Sequence, residues 1–89
     1  MAISALFTGS GMTADQYDEI LDKLEEAGAA DQPERLSHVC FGSPDSLSVL
    51  DTWTSEEAFM EFGKTLMPII ASVGVEAPMP QIGEVHNTM

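Results

Sequence analysis

Positive charge is scarce in this chain. Of its 89 residues only Lys23, Arg35 and Lys64 are basic, against fifteen acids, for a formal net charge of −12. Nonspecific binding to DNA or RNA needs cations on the phosphates and is excluded as a role. Anionic membrane surfaces are disfavoured for the same reason. The acidity itself reads as a solubility device. Cysteine is nearly absent too. Cys40 stands alone, which rules out an intrachain disulfide and a cysteine-based zinc site. No apolar run approaches the roughly 18 residues of a membrane span. The opening Met1-Ala2-Ile3-Ser4-Ala5-Leu6-Phe7 lacks the positive start of a signal peptide. A soluble, cytoplasmic protein is the expectation.

Chemical motifs are sparse as well. Gly9-Ser10-Gly11 is too short for a phosphate loop and has no lysine nearby, and no serine sits in a nucleophile elbow. His38 and His86 have no second histidine at metal-ligand spacing, so neither a metal nor a cofactor is expected. Cys40 has no cation beside it and is expected buried and unreactive.

The remaining composition is that of a folded domain. Hydrophobic residues make up 44% and charged residues 20%, too apolar for a disordered chain. Residues 1–89 are expected to form one domain. At this size folding buries roughly 60–65% of the unfolded chain's surface, a thin core that a second subunit would help to cover.

Residues 2–8 alternate and end at the Gly9–Gly11 turn, which predicts a strand. Thr13 with Gln16 forms a capping box. The stripe Tyr17, Ile20, Leu21, Leu24 and Ala27 then predicts a helix that stops at Gly28. A polar linker over 30–33 leads to a strand near Arg35–Phe41, a turn over 42–46 and a third strand over Leu47–Trp53. Thr54 with Glu57, or Ser55, caps a second helix carrying Phe59, Phe62, Leu66, Ile69, Ile70 and Val73. Pro68 is expected to kink or divide that helix, and Gly74 to end it. Pro78-Met79-Pro80 turns the chain into a last strand near Gln81–Thr88. The order strand, helix, strand, strand, helix, strand is the ferredoxin-like βαββαβ pattern: α+β, a four-stranded antiparallel sheet with two helices on one face. Both faces of the second and third strands carry apolar residues, so the open face is expected to be covered by a second copy.

The hairpin between the second and third strands brings a polar pair together. With residues 43–46 as its loop, Cys40 lies opposite Val49, His38 opposite Asp51 and Leu36 opposite Trp53. Opposed side chains share a face at about 4.5–5.5 Å. His38 and Asp51 are thus a histidine and an orienting carboxylate among apolar neighbours, able to serve as general base or ligand anchor; a satisfied cross-strand pair is the plain alternative. Tyr17, Trp53, Phe59, Phe62 and Met67 could wall a ligand pocket between helices and sheet, or simply form core. His86 is expected on the last strand.

Gly11-Met12-Thr13 with Gln16-Tyr17-Asp18, and Asp51-x-Trp53-x-Ser55-x-x-Ala58-Phe59-x-x-Phe62, resemble the small dimeric α/β-barrel proteins. Leu66-x-Pro68, Gly74, Pro78 and Glu84-Val85-His86 continue the likeness. That superfamily includes antibiotic-biosynthesis monooxygenase-like, haem-degrading and stress-responsive barrel proteins. The resemblance implies a homodimer whose two sheets face each other, with a pocket between sheet and helices in each subunit. Haem-degrading members carry an Asn on the first strand and a His on the second helix; neither is present here. The quinone-forming monooxygenases use an Asn-Tyr-Trp set, of which Tyr17 and Trp53 exist but the first-strand Asn does not. The leading expectation is a binder of apolar or amphipathic small molecules, fatty-acid-like or aromatic. The alternatives are a cofactor-independent monooxygenase-like enzyme with His38 as base and Asp51 orienting it, and a structural or stress-associated dimer without ligand.

Overall fold

A computed structural model describes residues 1–76 and 79–89. The chain runs β1 (Ile3–Phe7), α1 (Ala14–Glu26), β2 (Arg35–Ser43), β3 (Ser46–Trp53), α2 (Glu56–Ser72) and β4 (Gln81–Glu84). The strands form one antiparallel sheet in the order β2-β3-β1-β4. This is the ferredoxin-like arrangement expected from the pattern of elements.

Local chemistry explains the helix limits. The Thr13–Gln16 capping box is formed in both directions and starts α1. Ser55 caps α2 by accepting from the Ala58 amide, so Ser55 takes the role rather than Thr54. Pro68 lies inside α2, which runs on as a single helix. Both Pro68 and Lys64, whose carbonyl loses its usual partner, are on the exposed side of the helix. Water can satisfy that carbonyl, so the expected division is not required.

Two register details differ from simple alternation. Ser43 pairs with Ser46, which leaves Pro44-Asp45 as the loop and lengthens both strands without moving the His38–Asp51 register. Gly42 takes a positive φ of 113°, and a Cβ there would lie 3.0 Å from the Ser46 carbonyl oxygen. A β-bulge between Arg35 and Ser37 places Arg35, not Leu36, opposite Trp53. A bulge adds one residue to one strand and so exchanges which side chain faces inward.

β4 is shorter than expected. Its last sheet bond beyond Glu84 runs from the Val85 amide to the Ala2 carbonyl. β1 begins at Ile3, so the sheet offers no strand partner to residues after Val85, and His86 lies past the strand. The turn expected at 78–80 includes Pro78, which falls outside the described residues.

The core lies between the helices and one face of the sheet, built on Ile3, Ala5, Ile20, Leu24, Trp53, Phe59 and Phe62. Trp53 is completely buried. Its ring meets Phe62 at 5.1 Å and Phe59, edge to face, at 6.1 Å between centroids. The other face of the sheet is open and carries exposed Val39, Phe41 and Leu50. Among the described residues no helix is long and apolar enough to cross a membrane.

Candidate functional site

β2 and β3 carry His38 and Asp51 to the helix-facing side of the sheet as a directly opposed pair. The His38 Nδ1 hydrogen-bonds the Asp51 carboxylate. Asp51 is only 4% exposed and is the one buried charged residue among those described. A carboxylate so far from water needs a partner, and His38 is the one it has.

The third member comes from α1. The N-terminus of this helix is tied to the β2–β3 hairpin by Ala14 N–H to the Pro44 carbonyl and by Leu47 N–H to the Met12 carbonyl, both 2.8 Å. These bonds set α1 across the hairpin, and the stripe that buries Ile20 and Leu24 also turns Tyr17 inward. The Tyr17 hydroxyl lies 2.7 Å from His38 Nε2. The two rings are nearly parallel but 6.0 Å apart, so they meet end to end through the hydrogen bond rather than by stacking.

The chain Asp51–His38–Tyr17 has a defined polarity when the imidazole is neutral. Nδ1–H donates to Asp51, leaving Nε2 to accept the Tyr17 proton. Both ring nitrogens of His38 are then engaged, and the free lone pair of the chain is on the Tyr17 oxygen. A proton arriving there can pass to Nε2, and Asp51 stabilises the imidazolium that results.

The tyrosine is held in its neutral form. Burial raises its phenol above the ordinary value of 10.0, and the nearby Cys40 and Asp51 add to the rise. The folded state therefore holds this proton more tightly than the unfolded chain. The stabilisation this gives is complete below pH about 10 and is lost as pH climbs through the folded value. Tyr17 is the only tyrosine, so phenolate absorbance reports it alone. Its titration midpoint is expected above 10 in the folded protein and lower in Asp51→Asn, which removes one raising charge. A wild-type midpoint at or below 10 would contradict this burial. Cys40 is half-buried rather than fully buried, and its thiol is also raised, first by burial and then by Asp18, which keeps it a thiol near neutral pH.

Tyr17, His38 and Asp51 line a cavity of about 120 Å³ between sheet and helices. The rest of the wall is largely apolar, with Phe7, Met12, Ile20, Phe62 and Leu66 contributing. An engineered apolar cavity of about 150 Å³ holds one benzene, so this space suits one ring or a short aliphatic segment. Of the residues singled out as pocket walls, Tyr17, His38 and Phe62 face it directly. Trp53 and Phe59 lie one layer behind: Trp53 backs Phe62, and Phe59 packs on Phe7 at 6.0 Å. Met67 is outside the wall and 48% exposed. One residue past Leu66 on the helix, it is rotated about 100° off the apolar stripe. Arg35 also lines the cavity; strict alternation assigns this place to Leu36, and the bulge reverses the two. Among the described residues no group of three or more His, Cys, Asp or Glu side chains converges on a metal position.

No protein-family model matches this chain. No curated protein matches it in sequence either. Solved structures do. A Chloroflexus aurantiacus J-10-fl protein, provisionally assigned as an antibiotic biosynthesis monooxygenase, is 14% identical with a TM-score of 0.67, over 100% of this chain and 97% of that one. SnoaB, a cofactor-independent oxygenase from Streptomyces nogalater, is 14% identical with a TM-score of 0.63, over 99% and 94% of the two chains. Rv0793 from Mycobacterium tuberculosis is 16% identical with a TM-score of 0.55, over 99% and 94%. The TM-scores and near-complete mutual coverage agree: the chain shares its fold with the antibiotic biosynthesis monooxygenase-like, ferredoxin-fold proteins.

Proposed function

We propose that this protein binds a small amphipathic aromatic molecule in the cavity between sheet and helices, its polar end hydrogen-bonded to Tyr17. The observation that carries this reading is the Asp51–His38–Tyr17 chain set in the wall of a largely apolar cavity of about 120 Å³. The volume favours a ring over a long acyl chain, and a hydroxyl on the ring would donate to the Tyr17 oxygen. The test is calorimetric titration with simple phenols onto the wild type and His38→Ala, and absence of binding to the wild type would refute it.

A second reading follows from the same chain. A histidine oriented by a buried carboxylate is a proton acceptor in waiting, and SnoaB, similar in fold, is a cofactor-independent oxygenase. In such a role the relay would remove a proton from an activated ring CH₂, and the resulting carbanion would react with dioxygen. The net change is R₂CH₂ + O₂ → R₂C=O + H₂O, with the ring carbon oxidised and one oxygen atom leaving as water. Tyr17 would touch the substrate and His38 would act through it. Oxygen uptake at one O₂ per substrate separates this from binding alone.

The open sheet face completes the proposal. Val39, Phe41 and Leu50 are exposed there, Phe41 at 47%, and a second copy meeting them face to face would bury the same residues on both sides. Phe41→Asp places two carboxylates in such an interface. It is expected to convert a dimer to a monomer in sedimentation velocity. A wild type that sediments as a monomer would remove this part of the proposal.

A further inference from the structure

Arg35 is one of only three cations in the chain, and the β2 bulge brings it to the cavity. Simple alternation would have left an apolar leucine in that place. Bulges beside functional sites commonly re-aim one side chain in this way. The Arg35 guanidinium lies over the faces of Trp53 and Phe62, 5.9 and 5.8 Å from their centroids. It donates one N–H to the Ala30 carbonyl at 2.9 Å. A guanidinium has five N–H donors. Although the chain has fifteen acids, the ion pairs among the described residues are His38–Asp51 and Lys64–Glu61, and none involves Arg35. An arginine with spare donors and no carboxylate, at the wall of an apolar cavity, lacks the partner its chemistry suits best.

Resting on the cavity reading above, we infer that Arg35 is an anion anchor and that the ligand is an aromatic acid, with a carboxylate at one end of the ring and a hydroxyl at the other. Arg35 and Tyr17 line the same cavity from different elements, β2 and α1, and His38, which holds the Tyr17 hydroxyl, is set opposite Asp51 where Arg35 is set opposite Trp53. A ring held between them would put its acid group at Arg35 and its hydroxyl at Tyr17. The chain's overall negative charge opposes an anion at long range. Screening confines that effect to about 8 Å at physiological salt, so the cation beside the cavity dominates locally.

The test compares 4-hydroxybenzoate with its uncharged isostere 4-hydroxybenzamide by calorimetry on the full chain. The carboxylate is expected to bind about 10–100-fold more tightly, the range for one charge-assisted contact. Arg35→Met should abolish that preference, weakening the carboxylate far more than the amide, and Arg35→Lys should retain part of it, because the charge remains and the planar fork is lost. Equal affinities in the wild type, with the amide still bound, would overturn the anchor and leave Arg35 as a cover over Trp53 and Phe62; the cavity reading would survive. Failure of both compounds to bind the wild type would overturn both. If Arg35→Met does not fold, Arg35→Gln decides, because its amide keeps polar contact without the charge: an undiminished carboxylate preference in Arg35→Gln overturns the anchor.

Discussion

If the Asp51–His38–Tyr17 relay serves catalysis, His38→Ala is expected to cut oxygen-dependent turnover by about 10²–10⁴-fold, the usual contribution of a positioned proton acceptor. It should weaken ligand binding only about tenfold, the scale of one net hydrogen bond. The two magnitudes separate the readings of the site. A protein that only binds loses about a factor of ten; one that takes a proton through Tyr17 loses far more in rate than in affinity. Truncation also leaves Asp51 buried without its partner, a cost of about 1–3 kcal/mol or more for a charged group. His38→Gln controls for this. Its amide can still donate to Asp51, but it has no ring nitrogen to receive the Tyr17 proton. A His38→Gln variant that folds like the wild type and turns over at the wild-type rate would rule out the relay.

Trp53→Ala should have the largest effect on stability. Its ring is completely buried between Phe59 and Phe62, and removing such a side chain costs about 3–5 kcal/mol. A domain of 89 residues has only about 4–13 kcal/mol in total. The urea midpoint, followed by circular dichroism because the tryptophan is gone, should fall by about 2 M or more. The indole N–H is buried without a hydrogen-bond partner. Trp53→Phe therefore keeps most of the packing and removes an unsatisfied donor, and should cost less than about 1.5 kcal/mol. A Trp53→Ala midpoint indistinguishable from the wild type would mean that the core does not depend on this ring.

Much of the scaffold follows from local chemistry. The capping box at Thr13, the 3–4 spacing of Phe59, Phe62 and Leu66, and the turn over Gly42–Ser46 each specify an element through nearest neighbours alone. The His38–Asp51 pairing is also legible, because a period-two strand and a short loop leave few registers that keep both apolar faces consistent.

Three features needed the assembled molecule. Tyr17 reaches His38 only because backbone bonds from Ala14 and Leu47 lock α1 onto the hairpin, and the packing of a helix across a sheet is not encoded by either element's own periodicity. Trp53 and Phe59 lie behind the cavity rather than in its wall because the aromatic rings of β1, β3 and α2 stack in two layers, a matter of shape complementarity among residues far apart in the chain. Arg35 replaces Leu36 on the inner face through a bulge, a one-residue slip that alternation cannot foresee. The sequence by itself determined the elements, their order and the central pair; tertiary packing decided which side chains surround that pair.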